Sequence, residues 1–274
     1  MKKWSLFIIV MVVGILGIES CKKSNSVEST PSDAVPNDIF PLTPGHKLVF
    51  SGYLTSEDTE TPIPGTESVF SASWTIAGTT SLAQVLFTAA TGILPSSAVL
   101  IVDTVTVTGV LPEPKATPVF VYYDASSNVY HYLTNFGYVF RSYSINDGNG
   151  HVRSDSLRFI TLASPSVGTG VDFEVFHESF DSYRFGTIAV PIDVSIKGNF
   201  EKKEDLTLTV NGKDTTFTTY YLVITNTATI PNFSPVASIT AKFWLAEGIG
   251  PVQMFLAGDA EAPGSFRKLT AKNF

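Results

Sequence analysis

The residues able to do chemistry are few and widely spaced. The four histidines are His46, His131, His151 and His177, and no two stand at the separation that would put both imidazoles on one metal ion. No His-Glu-x-x-His, Cys-x-x-Cys or Asp-x-Asp-x-Asp-Gly run occurs. Asp147-Gly148-Asn149-Gly150 faintly resembles a calcium loop. It lacks the flanking acids, and its Asn, Asp and Gly tolerate positive φ, so a plain hairpin turn is the better reading. No Gly-x-Ser-x-Gly elbow is present, and Gly168-Thr169-Gly170 reads as a loop. Glu174, Glu178 and Asp181 would share a face if their segment were helical. An acid pair or metal site is the sharp reading of that face, a solvated surface the plain one. No catalytic residue, metal or cofactor is expected.

The single cysteine, Cys21, is informative through its position. Met1-Lys2-Lys3 is basic, Trp4 to Ile18 is an apolar run broken only by Ser5, and Glu19-Ser20 leads into the cysteine. A basic start, a short apolar core and a small residue before a cleavage point make a secretory signal over residues 1–20. The apolar run is roughly 15 residues, short of the ~20 a spanning helix needs. The junction resembles the lipobox of bacterial lipoproteins. That resemblance implies that Cys21 becomes the first residue of the mature chain and carries the acyl chains. Glu19 departs from the usual lipobox residue, and Lys22 stands where inner-membrane retention favours Asp, which implies sorting to the outer membrane. Each buried methylene of such an anchor contributes about 0.8 kcal/mol.

Composition narrows the partners. The net charge of −7 becomes −8 once Lys2, Lys3 and Glu19 leave. This argues against a nucleic acid, which needs clustered Lys and Arg. Without a second cysteine the exported chain must fold with no internal disulfide, and it is long enough to do so. Residues 21–38 hold almost no large apolar groups and read as a flexible tether; residues 39–274 read as one β-rich domain, with a subdomain break to be looked for near 163–170.

The elements are mostly strands. Leu48 and Phe50, then Phe70, Ala72, Trp74 and Ile76, then Val105 and Val107 alternate with polar neighbours, a period of two rich in Thr and Val. Asp124 to Asn128 separates two strands of a meander, and Asn211-Gly212 and Glu247 to Pro251 mark hairpins. Leu82, Val85, Leu86 and Ala89 fall at the spacing of a short helix within residues 79–90, though Val85 to Phe87 could equally be a strand. Asp172 to Phe185 is ambiguous, since Phe173, Phe176, Phe180 and Tyr183 fall at helical spacing while Val171, Phe173 and Val175 alternate. Glu201-Lys202-Lys203-Glu204-Asp205 reads as a solvated turn. No βαβ alternation appears, so a parallel nucleotide-binding sheet is not expected.

The meander is crowded with rings, and Tyr122, Tyr130, Tyr132, Tyr138 and Phe140 are the candidates for ligand contact. Exposed, they would stack on sugars or pack on a protein; on the concave wall of a curled sheet they would hold an acyl chain; ordinary core and cross-strand pairing is the plain alternative.

Two stretches resemble a known group. Phe40-Pro41-Leu42-Thr43-Pro44-Gly45-His46-Lys47-Leu48-Val49-Phe50 resembles the opening of uncharacterised Gram-negative outer-membrane lipoproteins, with His46 for the usual Asn and Leu48 where an aromatic is commoner. Phe243-Trp244-Leu245-Ala246-Glu247-Gly248-Ile249-Gly250-Pro251-Val252 is similar to an aromatic-x-Ala-x-Gly-x-Gly-x-Val segment near their ends. The resemblance implies a curved antiparallel sheet. The expected fold is therefore mainly β, a curved antiparallel sheet, half-barrel or sandwich with at most one or two short helices. The expected role is that of a non-catalytic envelope lipoprotein with a binding or structural task. It would be lipid-anchored in the outer membrane through Cys21, with a glycan, a lipid or an envelope protein as partner. A carrier of a hydrophobic ligand and an anchored hydrolase are the alternatives.

Overall fold

The computed structural model describes residues 33–40, 42–56, 60–82, 95–109, 113–135, 157–185, 188–233, 235–258 and 263–274. They form twelve strands: β1 (Lys47–Thr55), β2 (Phe70–Ser81), β3 (Ser97–Val107), β4 (Lys115–Asp124), β5 (Val129–Asn135), β6 (Leu157–Ala163), β7 (Asp172–Phe185), β8 (Ile188–Val210), β9 (Lys213–Thr229), β10 (Val236–Ala246), β11 (Gly250–Leu256) and β12 (Gly264–Lys272). All belong to one antiparallel sheet, nearly closed into a barrel, in the order β6-β5-β4-β3-β2-β1-β12-β11-β10-β9-β8-β7. Among the described residues helix is confined to 3-10 conformation, at Pro165–Val167 and at Leu82. Residues 32–274 are one compact unit, and the link through residues 164–171 joins the two end strands of a single sheet.

Side-chain alternation sets the two faces. Leu48 and Phe50 on β1, Ala72 and Ile76 on β2, Val194, Ile196 and Phe200 on β8, Leu222 on β9 and Leu269 on β12 all point into a common, buried core. Ser71, Ser73 and Thr75 on β2, and Thr104 and Thr106 on β3, take the opposite face. On β2 and β3 the inner face is thus apolar and the outer face is lined by Ser and Thr.

The curl of the sheet can be gauged from one ion pair. Arg267 on β12 and Asp103 on β3 are separated by β1 and β2, about 14 Å at the usual strand spacing. Yet Arg267 Nη1 lies 2.9 and 3.0 Å from the two Asp103 oxygens, and its Nε donates to Ser265 Oγ at 3.0 Å. Side chains that far apart along a flat sheet could not meet, so the contact requires a concave face. Gly52 and Gly198 make close approaches that a side chain would prevent. A Cβ on Gly52 would sit 1.9 Å from the Phe266 carbonyl oxygen, and one on Gly198 would sit 2.2 Å from the Phe173 ring.

Because every neighbouring pair is antiparallel, connections alternate between two ends of the barrel. The start of β1, the β4–β5, β6–β7, β8–β9 and β10–β11 connections and the end of β12 share the near end. The β1–β2, β3–β4, β9–β10 and β11–β12 connections share the far end. Asn211 and Gly212 have φ of 52° and 75°, the two positive values a tight hairpin turn needs.

Three sequence expectations change. Glu201 to Asp205 is no turn: β8 runs unbroken from Ile188 to Val210, with a bulge between Phe200 and Lys202 that lets the strand bend while pairing with β9 continues. Asp172 to Phe185 is a strand, so Glu174, Glu178 and Asp181 share no helix face. Its register shifts between Glu174 and Phe176 and between Phe180 and Tyr183 explain the misleading spacing, since each extra residue turns a period of two into a step of three. Thr79 to Ser81 belong to β2 rather than to a helix, and residues 83–90 of that expectation lie outside the described residues.

Candidate functional site

The near end is organised around the chain that enters it. Residues 33–38, assigned to the tether on composition, are tied to the body. The Asp33 N–H donates to Thr169 Oγ1 at 2.8 Å, and the Thr169 N–H returns a bond to the Asp33 carbonyl at 3.0 Å. The Asp38 carbonyl accepts from the Gly248 N–H at 3.0 Å. Val35, Ile39 and Phe40 are buried in the main core. The segment thus straps the β6–β7, β4–β5 and β10–β11 connections together.

Tyr130 is the strap's main partner. Its ring is buried against Phe40, with centroids 5.3 Å apart, and against Tyr123 at 4.6 Å. Its hydroxyl donates to the Asn37 carbonyl, and Asn128 Nδ2 donates to Asn37 Oδ1 at 2.7 Å. Asn128 has a φ of 55°, which Asn tolerates, and it closes the β4–β5 turn. Asp124 braces the same turn: its carboxylate accepts from the Ser126 and Ser127 hydroxyls at 2.7 Å, and these bonds hold its pKa down to about 2. Burial pushes the Tyr130 phenol up to about 12.

The candidate aromatics within the described residues divide between the two faces. Tyr130 and Tyr132 lie on the same concave face, opposite Tyr123 and Val121 of β4, and burial pushes the Tyr132 phenol to about 12 as well. Tyr122 points to the convex face, where its ring stacks beside His131 at 6.1 Å. Tyr138, Phe140 and Cys21 lie outside the described residues, as do His151 and the Asp147 turn. His46 stacks on Phe274 at 3.8 Å, and His177 pairs with Asp193 at 2.9 Å, so the described histidines are far-flung ring and ion-pair partners. Among the described residues no three His, Cys, Asp or Glu side chains gather as a metal site would require.

A second aromatic group, missed in the sequence, crosses the convex face. Tyr53 on β1 stacks on Phe266 of β12 at 5.2 Å, Phe266 meets Trp244 of β10 edge-on at 6.4 Å, and Trp244 meets Tyr221 of β9 at 4.6 Å. Tyr53, Trp244 and Tyr221 are half-buried, while Phe266 forms their floor. Polar groups rim the row. Trp244 Nε1 donates to Glu204 Oε1 at 2.9 Å, Lys202 donates to the other Glu204 oxygen at 2.7 Å, and Lys242 pairs with Glu60. Lys202 also lies over the Tyr221 ring at 5.3 Å. Burial, then the carboxylates of Glu201, Glu60 and Glu204, push the Tyr221 phenol to about 12. These residues come from strands that are distant in sequence, so only the alternation on each strand hinted at the row.

No protein-family profile matches the chain, and no curated protein does. Two solved structures are similar to it. One is a candidate lipoprotein from Parabacteroides distasonis at 14% identity, covering 88% of this chain and 99% of its own, with a TM-score of 0.41. The other is a candidate exported protein with a YmcC-like fold from Bacteroides fragilis at 9% identity, covering 89% and 100%, with a TM-score of 0.42.

Proposed function

We propose that the chain is a non-catalytic lipoprotein of the cell envelope, held on the outer membrane through acyl chains on Cys21 and serving a binding or structural role. One observation carries this reading: a basic start, a short apolar run and a lipobox-like junction at Cys21 precede a single antiparallel sheet with an apolar core. No helix of the described residues is long and apolar enough to cross a membrane. The packing of Phe50, Leu222, Leu245, Met254 and Leu269 into the core, each at most 1% exposed, supports a binding surface on the outside over a ligand carried within. The convex row supplies such a surface, because half-exposed rings stack on sugars or pack on protein while Glu204 and Lys202 offer hydrogen bonds beside them. The test is growth in labelled palmitate. Label is expected on the wild-type chain, and the Cys21→Ser chain is expected to lose it and to leave the envelope fraction. An unlabelled wild-type chain, or a Cys21→Ser chain still held in the membrane fraction, overturns the reading.

A further inference from the structure

The strand registers place the convex aromatic row on two adjacent rungs that run across the strands. One rung reads Lys268 on β12, Gln253 on β11, Trp244 on β10 and Tyr221 on β9, each directly opposite the next. The other carries Tyr53 of β1 opposite Phe266 of β12. Cross-strand neighbours are about 4.8 Å apart, so Lys268 stands roughly 10 Å from Trp244, within reach of its flexible stem. Three lysines overhang these rungs. Lys202 lies 5.3 Å from the centre of the Tyr221 ring, Lys242 5.7 Å from that of Phe255 and Lys268 5.5 Å from that of Phe266. Glu204 pairs with Lys202 and Glu60 with Lys242. Lys268 is exposed, and among the described residues no carboxylate pairs with it. The surface thus holds one uncompensated cation beside rings, on a chain whose net charge is −7. That overall charge repels a densely anionic polymer but not a sparsely charged one.

We propose that this surface binds a glycan that carries carboxylate groups, with sugar faces stacked on Trp244 and Tyr221 and a carboxylate paired with Lys268. This deepens the binding role given above and rests on it. The rings that reach the surface are amphipathic. Tyr53, Trp244 and Tyr221 are half-buried and each bears a phenol or an indole N–H, whereas the purely apolar Phe266 and Phe255 lie beneath at 7% and 1% exposure. A sugar matches such a surface, because its C–H faces stack on rings while its hydroxyls seek polar neighbours. Glu204 holds the Trp244 ring in place through Nε1 at 2.9 Å, so little ordering is left for the ligand to impose. A protein partner would instead call for exposed apolar anchors at the centre of the contact. Among the described residues the exposed large apolar side chains are Val171 and Phe233, in the β6–β7 and β9–β10 connections and off both rungs.

The experiment is calorimetric titration of the full chain, held in a sugar-free detergent, with short oligomers of galacturonic, glucuronic and mannuronic acid and with a neutral glucose oligomer of the same length. At least one acidic oligomer is expected to bind, and more tightly than the neutral one. Lys268→Gln should weaken that oligomer about three- to five-fold and remove the salt dependence of its binding. Tyr221→Ala should weaken it about ten-fold, with Trp244→Phe as the substitute should that chain fold poorly. A folded chain that binds none of the acidic oligomers overturns the proposal. So does binding that ignores both the Lys268 and the Tyr221 changes, or a neutral oligomer that binds equally well. A photo-crosslinker at position 221 that captures an envelope protein, in a chain that binds no sugar, makes this a protein-docking face and overturns it too. Palmitate labelling of the same chain separates the two readings: a labelled chain that binds no acidic sugar loses this site alone, and an unlabelled chain that binds one loses the anchor alone.

Discussion

The β4–β5 and β8–β9 hairpins are both ring-bearing antiparallel pairs closed by an Asn with positive φ, yet they do different work. The first is short, and its turn stays level with its neighbours. It turns Tyr130 inward and uses the phenol to hold the incoming strap. The second overshoots both neighbours. β7 stops pairing with β8 at Asn199, and β10 stops pairing with β9 at Thr219, while the hairpin continues to Asn211. There the Asn211 N–H donates to the Thr270 carbonyl at 2.9 Å. Its side-chain amide donates to the Lys272 carbonyl at 3.0 Å and accepts from the Lys272 N–H at 3.2 Å. Asn211 thus pairs with β12 much as a strand residue would. The contrast teaches that ring content says little about the role of a hairpin; how far it extends past the adjacent strands decides what it can touch.

The comparison can be broken at graded points. The largest effect is expected from Arg267→Ala, which leaves Asp103 uncompensated in the concave face and severs a link between the two runs of strands. Stability in urea should fall by about 3–5 kcal/mol, whereas the double variant Arg267→Met with Asp103→Leu should recover most of it. A double variant as unstable as the single would show that the pair supplies more than charge balance.

Next is Asn211→Ala, which strains the left-handed turn and removes both side-chain bonds to Lys272. About 2–3 kcal/mol should be lost in thermal melts. Asn211→Gly, which keeps the turn and loses only the amide, should cost about half of that, with faster hydrogen exchange confined to the end of β12.

Tyr130→Phe removes one bond to the strap, worth about 0.5–1.5 kcal/mol. Its clearer readout is proteolysis, with faster cleavage within residues 33–40 and no change at the β8–β9 turn. If cleavage is unchanged, burial of Ile39 and Phe40 holds the strap without the phenol.

The mildest test is titration. Tyr130, Tyr132 and Tyr221 ionise near 12, above the ordinary tyrosine value of 10, because burial disfavours the phenolate. Between those values the folded chain keeps protons that the unfolded chain releases, so this contribution is complete below pH 10 and declines as pH rises toward 12. Ultraviolet titration should show a late-ionising group of phenols in the folded protein, and Tyr130→Phe should reduce it by one.

Much of the fold was legible because turn chemistry and alternation agreed. Asn211-Gly212 falls between strands, the Glu247 to Pro251 and Asp124 to Asn128 turns overlap strand ends by only one or two residues, and Leu48 and Phe50 face the core. The failures share a cause. Bulges on β7 gave Phe173 and Phe176 a helical step, and a bulge on β8 let a run of charges sit within a strand. A single chain read alone shows residue spacing but not the partner strand against which a bulge is defined. The site was less legible still: Tyr130 was rightly singled out, but its use in holding Asn37 depends on residues 91 to 93 positions away. The Tyr53, Phe266, Trp244 and Tyr221 row depends on β1 meeting β12.

That last pairing has a consequence for biogenesis. β12 is inserted between β1 and β11, so the earliest strand made waits for the latest before either run of the sheet has its neighbour. A growing polypeptide cannot complete this arrangement until the segment around Phe266 has been made, and such long-separation contacts form slowly. Throughout that interval β1 and β11 present bare backbone, the condition that invites pairing with other chains. A sheet closed in this order stays open to such pairing until its last stretch has been made.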